Sequence, residues 1–275
     1  MYGPRWDRGR SGLAYRDLEA TCEHLGPDGE RWRRLMQPLL EHSQELVDFI
    51  LSGQRSLPRS LSVPALLASR MLVHGTALAP RCFSTEEARS LLTGVAAHAV
   101  GRLPSLASGA VAALLGHLAH VGGWPVPESG SARIADALAA DIVACGGTFH
   151  TSHHVTRLEE LPRAKTVLLD VSPKVFARIA ADRLPLRYRR GLARFRYGPA
   201  AAKVDFLVSE PIPWANPAVG QAATVHLGGT QAEMYRAETA AAAHPARGAV
   251  RPAGRPGRAR AGRRPVWALC PRLQR

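Results

Sequence analysis

The first 120 residues carry the apolar spacing of amphipathic α-helices, and this pattern most limits what the chain can fold into. Asp28 can cap the start of a helix whose apolar residues recur at the i, i+3, i+4 and i+7 positions of one buried stripe. Pro38 lies inside the stripe and is expected to kink or split the helix. The stripe consists of Trp32, Leu35, Met36, Leu39, Leu40, Leu46, Val47, Ile50 and Leu51. A helical part of the fold is therefore expected over residues 1–121.

Two further helices are expected in the same part of the chain. Ser84-Thr85-Glu86-Glu87 has the pattern of a capping box, in which the Ser84 hydroxyl and the Glu87 carboxylate satisfy each other's backbone donors. A second helix is predicted over residues 106–121 and ends at Gly122-Gly123. The stretch 91–121 is the most apolar of the chain, but an arginine, a proline and three histidines interrupt it. We therefore expect buried helices here rather than a membrane span.

The pattern changes after residue 122, where short helices and strand-like segments alternate. A helix from Ser131 to Cys145 is predicted to close at Gly146-Gly147, and Ser172-Pro173 begins another with proline at its first position. A further helix is predicted over 187–195, and Thr230–Glu233 forms a second capping-box pattern. Strands are predicted at 148–150, 155–158, 166–171, 203–208 and 223–227. The expected fold class is α/β, in the mixed α+β sense.

The net charge of +14 is concentrated at one end of the chain. The segment from Arg247 to Arg275 holds nine arginines, no lysine and no acidic residue, which leaves +5 for the first 246 residues. Residues 241–275 are expected to be a disordered Arg-rich tail, because they offer no apolar stripe to bury. Two interpretations stay open: a basic arm for nucleic acid or an acidic membrane, and codons read out of frame. The abrupt change of composition directly after a helix start, and the absence of lysine, favour the out-of-frame interpretation, and a nucleic-acid partner is not expected.

Cysteine and histidine spacing gives no metal or disulfide signature. The four cysteines are scattered without a CxxC pair, so we expect a reducing, cytoplasmic setting. Cys145, His150, His153 and His154 are close in sequence, but two successive histidines on a strand point to opposite faces. No metal site is therefore expected. A serine hydrolase is also not expected, since no G-x-S-x-G elbow is present.

The segment from Val121 to Glu159 resembles the middle of the flavin-dependent amine oxidase and phytoene desaturase superfamily, in its phytoene-dehydrogenase-like branch. The resemblance extends over about Leu13 to Glu238 and is most specific between Gly122 and Trp214. In that family a Gly-Gly loop is followed by a helix, a second Gly-Gly turn, and a strand with a valine whose backbone faces the adenine of FAD. Those places are occupied here by Gly122, Gly123, Gly146, Gly147 and Val155. The resemblance implies FAD as the cofactor and Val155 as its binding residue, and it assigns no catalytic residue.

The resemblance also implies an architecture and an activity. It divides the chain into a helical part of a substrate domain (1–121), a partial FAD-binding domain (122–183), a β-sheet piece of the substrate domain (184–240) and the tail (241–275). The implied reaction is hydride transfer from a C–H bond of an apolar or isoprenoid-like substrate to the flavin, with peripheral membrane contact as a further expectation. The alternatives are a non-enzymatic protein that binds nucleic acid or acidic membrane through its tail, and an inactive gene remnant.

The chain departs from the family pattern at both ends. It contains no G-x-G turn, although the family begins with a strand, a G-x-G-x-x-G turn and a helix that together hold the pyrophosphate. The closing flavin segment is replaced by the Arg-rich tail. The sequence is therefore expected to be a central fragment of an incomplete two-domain FAD-dependent oxidoreductase fold.

Overall fold

The structure, a computed structural model, describes residues 10–51, 60–125, 127–197, 199–243, 251–252 and 264–273. The chain divides into two compact units. The first comprises Met1–Arg133 and Pro199–Arg275, and the second comprises Ile134–Gly198. The domain boundaries expected after residues 121, 183 and 240 stay predictions.

Helices dominate both units. The α-helices are α1 (Leu18–Leu25), α2 (Gly29–Glu41), α3 (Ser43–Leu51), α4 (Ser62–His74), α5 (Glu86–Ala96), α6 (Leu106–Val121), α7 (Ala132–Ala144), α8 (Pro173–Ile179), α9 (Leu186–Ala193) and α10 (Gln231–Ala243). Short 3₁₀ turns lie at Gly26–Asp28, Ala79–Arg81, Ala97–Ala99, Leu158–Glu160 and Pro217–Gln221. Across the described residues, no helix combines the length and the apolar character that crossing a bilayer requires.

The expected helical part of the fold is confirmed, and its core forms where the apolar stripe predicted it. Trp32, Leu35, Met36 and Leu39 of α2 are buried and pack with residues of α4, α5 and α6. The predicted long helix is split, as proline within it suggested, but the break lies at His42 rather than at the proline. Both ends of α6 are as predicted.

One buried carboxylate joins the start of α2 to the start of α5. The Asp28 side chain is fully buried and accepts hydrogen bonds from the backbone amides and the hydroxyls of Ser84 and Thr85, at 2.7–2.9 Å. The Arg31 guanidinium donates a further bond at 2.6 Å. Burial alone would raise the pKa of the Asp28 carboxyl, but these donors outweigh it and hold the pKa far below its usual range. Asp28 is therefore an ionised linker between two helices distant in sequence.

This use of Asp28 corrects two local expectations. Asp28 precedes α2 as predicted, but its side chain makes no capping bond to that helix. The capping box expected at Ser84 and Glu87 is wrong, because the residue that caps α5 is Thr85, whose hydroxyl accepts from the Ala88 amide. The Ser84 hydroxyl donates to Asp28 instead.

Two histidines of α6 are buried in the core as neutral hydrogen-bonding groups. His120 Nδ1 is 3.2 Å from the Arg16 carbonyl oxygen, and its Nε2 accepts the indole N–H of Trp32 at 3.0 Å. His117 is fully buried, with Nε2 2.9 Å from the Ser43 hydroxyl. Burial lowers the pKa of both imidazoles. These contacts explain how an apolar helix accommodates two polar side chains.

The predicted α/β layer of the second unit is not formed. Residues 148–150, 155–158 and 166–171 contain no strand, so the strands predicted there are wrong. The apolar run 166–171 leaves Leu168 90% exposed, where the sequence predicted burial on both faces. An extended segment becomes a strand only when a neighbour pairs its backbone groups, and these segments have no strand partner among the described residues.

The helical elements of the second unit do follow their sequence signals. The helix predicted at Ser172-Pro173 is α8, and the Ser172 hydroxyl accepts from the Val175 amide. The helix predicted over 187–195 is α9. The end of α7 is closed by a Schellman motif, in which the Gly146 and Gly147 amides donate to carbonyls of the last turn and Gly146 has φ +83°.

Three strands form one antiparallel sheet of order β1-β3-β2. They are β1 (Pro199–Val208), β2 (Arg251–Pro252) and β3 (Arg264–Leu273). The register pairs Pro199 with Leu273 and Val208 with Arg264. Strand β1 includes the segment 203–208 that was predicted as a strand, but the sheet contains neither residues 223–227 nor any residue of the predicted FAD-binding layer. The structure therefore gives no support to a substrate-domain sheet over 184–240 or to an FAD-dependent oxidoreductase fold.

Removing the Asp28 carboxylate is expected to destabilise the helical core. In Asp28→Ala the amides and hydroxyls of Ser84 and Thr85 lose their buried acceptor, and we expect the free energy of unfolding to fall by about 3–5 kcal/mol. Glu30→Ala, two residues further along the chain in the first turn of α2, removes an exposed carboxylate and should cost under about 1 kcal/mol. Urea unfolding followed by circular dichroism measures both. Equal losses in the two variants would contradict the role given to Asp28.

Candidate functional site

The first unit contains a cleft that we name the Trp214 cleft. It is a cavity of about 320 Å³, at the lower end of the range of small-molecule sites. It lies between the N-terminal segment 10–13, helix α5, the loop 214–229 and the first turn of α10. Because four separate parts of the chain form this cleft, no short sequence motif could predict it.

One end of the cleft is polar. The Arg10 guanidinium forms an ion pair with the Glu87 carboxylate on the first turn of α5. This hydrogen bond lowers the pKa of the Glu87 carboxyl, against the opposing effect of burial. The Asn216 amide donates to the Ser11 hydroxyl at 2.7 Å, and its carbonyl oxygen accepts from the Ala218 amide. These bonds tie the N-terminal segment to α5 and to the 214–229 loop.

The rest of the cleft is mostly apolar. A half-buried Trp214 lies on one side, and the other apolar side chains come from the N-terminal segment, α5, the loop and α10. They are Leu13, Leu91, Val219, Val225, Leu227 and Met234. The Ser90 hydroxyl donates to the Gly229 carbonyl at 3.2 Å and so fixes the end of the loop to α5. The arrangement suits a ligand with a long apolar part and one polar group.

His226 forms part of the wall and is fitted closely against α5. A Cβ atom at Gly94 would lie 2.8 Å from His226 Nδ1, so only glycine lets the imidazole lie on the helix at this point. His226 Nε2 is 2.9 Å from His98 Nε2, which means that one ring nitrogen donates and the other accepts. The His98 ring also makes an edge contact with Trp124. Together these contacts hold the loop on the helical core.

The polar side chains Arg10, Glu87 and Ser90 of the cleft form hydrogen bonds within the protein. Arg10 and Glu87 neutralise each other, and the Ser90 hydroxyl is bonded to a backbone carbonyl rather than to a base. Over the described ranges, no group of three or more His, Cys, Asp or Glu side chains is placed to hold a metal ion. Cys145, His150, His153 and His154 are exposed.

The residues that the family resemblance assigned to the FAD-binding region do not line this cleft. Val155 is half-buried in the second unit, in a segment without strand structure that leads into the 3₁₀ turn at Leu158–Glu160. Gly122 ends α6, and Gly123 follows it with φ +67°. Gly146 and Gly147 close α7. The glycines thus act as helix terminators, and contact between Val155 and an adenine stays a prediction.

Sequence reasoning missed the cleft because its side chains come from loops. The segment 214–229 was expected to contain a strand at 223–227, and the structure has no strand there. One signal did lie close to it. The predicted capping box at Thr230 and Glu233 is confirmed, with the Thr230 amide donating to the Glu233 carboxylate at 2.8 Å, and it begins α10 directly after the cleft loop.

No protein-family model matches the chain, and no curated protein and no solved structure matches it.

Adding one methyl group at Gly94 is expected to displace the wall of the cleft while leaving the helix intact. In Gly94→Ala the new Cβ forces the His226 ring away, so we expect faster hydrogen exchange over 222–229. Protection of α5 should be retained, since alanine favours a helix by about 1 kcal/mol over glycine. Gly191→Ala on α9, where a Cβ meets open space, is the matched control. Unchanged exchange over 222–229 in Gly94→Ala would contradict the close fit.

Proposed function

We propose that the chain binds a small, mostly apolar organic molecule in the Trp214 cleft, as the substrate-binding part of an FAD-dependent oxidoreductase similar to phytoene desaturases and amine oxidases. The observation that carries the binding part is the cleft itself, which combines an apolar wall with one polar end. The oxidoreductase part rests on the family resemblance alone, which is most specific between Gly122 and Trp214.

The cleft supports an amphiphilic ligand on simple physical grounds. Transfer of apolar surface from water into the Leu91, Leu227 and Met234 wall supplies the affinity. The polar end around Asn216 and the Arg10–Glu87 pair orients a hydroxyl or carbonyl group, because such groups need hydrogen-bond partners once buried. An isoprenoid alcohol has this combination of properties.

The described residues do not fit an FAD molecule. The strand that was expected to present the Val155 backbone to the adenine is absent, and the chain has no G-x-G turn whose amides would hold a pyrophosphate. We therefore derive no step of the reaction through the flavin. In the proposed enzyme, the contribution of the residues in the Trp214 cleft is to bind the substrate, orient it and exclude water.

Tryptophan fluorescence tests the binding proposal, with geraniol as the probe. We expect a saturable change that is lost in Trp214→Phe. Leu227→Asp places a charge on the apolar wall and should weaken binding at least about tenfold, equivalent to about 1.4 kcal/mol. Leu168→Asp, at an exposed leucine of the second unit, should leave binding unchanged. A signal that persists in Trp214→Phe, or equal effects of the two aspartates, would refute the cleft as the site.

The oxidoreductase part is checked separately, on the same preparation. The purified chain is incubated with FAD and passed over a size-exclusion column while flavin absorbance is recorded. Co-eluting flavin supports the proposal, and Val155→Asp should then reduce it. Geraniol binding without retained flavin would limit the function of this chain to ligand binding.

The Arg-rich segment favours a second candidate function, which is association with polyanions. Nine arginines without an acidic residue between Arg247 and Arg275 provide the charge. We expect salt-sensitive retention on a heparin column that falls sharply when residues 247–275 are deleted. Equal retention of the shortened chain would contradict this candidate.

A further inference from the structure

The second unit carries a dense basic segment that the total charge of the chain conceals. Between Arg183 and Lys203 there are six arginines and no acidic residue. The arginines are Arg183, Arg187, Arg189, Arg190, Arg194 and Arg196. Most of them lie on α9 or directly after it, so a short element concentrates the charge on one surface.

Helix α9 is exposed along its length. Only Leu192 is half-buried in this helix, and no residue of it is buried. Arg187, Arg190 and Arg194 follow the i, i+3, i+7 spacing and therefore share one face of the helix. We call this surface the α9 basic face.

The arginines of this face differ from Arg33 and Arg89 of the helical core, because the described residues give them no acidic partner. In the first unit, Arg33 and Arg89 are ion-paired to glutamates on the same helix or a neighbouring one. Within the described part of the chain, the five arginines between 187 and 196 make no ion pair. Five uncompensated cations within ten residues repel one another, so an anionic surface gains free energy by approaching them.

Apolar side chains stand among these cations. Leu186 is 59% exposed, Tyr188 52% and Phe195 48%. The Tyr188 ring makes an edge contact with Phe176 of α8, and the Phe195 ring makes one with Tyr197. The basic face therefore has an exposed aliphatic and aromatic border that α8 and the segment after α9 hold in position.

We infer that the α9 basic face binds an anionic lipid bilayer surface. Guanidinium groups pair with lipid phosphates, while leucine, tyrosine and phenylalanine side chains suit the boundary between headgroups and acyl chains. Single-stranded nucleic acid is the less favoured partner, because its bases would have to stack on free aromatic ring faces, and one face of the Tyr197 ring is already covered by a lysine. Lys174 Nζ lies 5.2 Å from the centre of the Tyr197 ring, and phosphate contacts alone leave the exposed Leu186 unexplained.

Vesicle co-sedimentation of the full chain tests the inference. Vesicles of phosphatidylcholine with phosphatidylglycerol are compared with pure phosphatidylcholine at the same salt concentration. Binding is expected only to the anionic vesicles and should weaken as salt is raised. The triple variant Arg187→Gln, Arg190→Gln, Arg194→Gln should reduce the partition coefficient roughly 100-fold, at about fivefold per arginine. Glutamine is a good helix former, so circular dichroism should show the helix content unchanged.

A matched variant separates this face from the Arg-rich segment at the end of the chain. Arg258→Gln, Arg260→Gln, Arg263→Gln removes the same charge and should retain most of the vesicle binding. The inference is overturned if that variant loses binding while the α9 variant keeps it, or if neutral vesicles bind equally well. It is also overturned if the chain binds a single-stranded oligonucleotide but no vesicle at the same salt.

Discussion

The helical unit depends on the burial of one ionised carboxylate. The Asp28 carboxylate lies just before α2 and accepts hydrogen bonds from the Ser84 and Thr85 amides at the start of α5. The start of a helix offers its amides no acceptor of its own, so this one comes from a distant part of the chain. A charge is expensive to bury, and it is tolerated here because its two oxygens receive bonds from amides, hydroxyls and a guanidinium together. The bond network fixes the position of α5 relative to α2, and the core around Trp32 packs on that frame.

The position of α5 determines the cleft. Successive turns of this one helix present Glu87 to the polar end, Ser90 and Leu91 to the wall, and Gly94 to the His226 ring. Asp28 therefore binds the start of α5 within one turn of Glu87, which is the first residue of this helix in the cleft. The loop 214–229 brings few buried side chains of its own, and it is held by contacts with α5, with His98 and with Ser11. The site is therefore built on a rigid helix and closed by a loop, an arrangement in which small changes at the helix surface alter binding without unfolding the core.

Local signals predicted the helices well, and partners distant in sequence account for the failures. The limits of α6, the cap of α8 and the capping box of α10 all depend on residues within a few positions of one another, so the sequence contains the whole interaction. The role of Asp28 depends on residues 56 and 57 positions away, whereas the local pattern predicted a cap for α2. The strands expected at 148–150, 155–158 and 166–171 failed for the same reason, since β-propensity describes a residue's fit to a sheet and says nothing of whether a neighbouring strand exists. The cleft could not be predicted because its walls come from four separated segments.

The net charge of the chain likewise does not predict where its charged side chains lie relative to one another. The first 246 residues have a net charge of only +5, which suggests a surface without strong electrostatic preference. The structure shows that this sum combines two different populations. Arginines of the helical unit such as Arg33 and Arg89 lie beside glutamates, where they mainly support α1, α2 and α5. The arginines of α9 are collected on an exposed helix without carboxylates, so their potentials add rather than cancel. A surface of this kind is determined by which charges are neighbours, and a short segment can therefore bind an anionic partner although the body of the chain is only mildly basic.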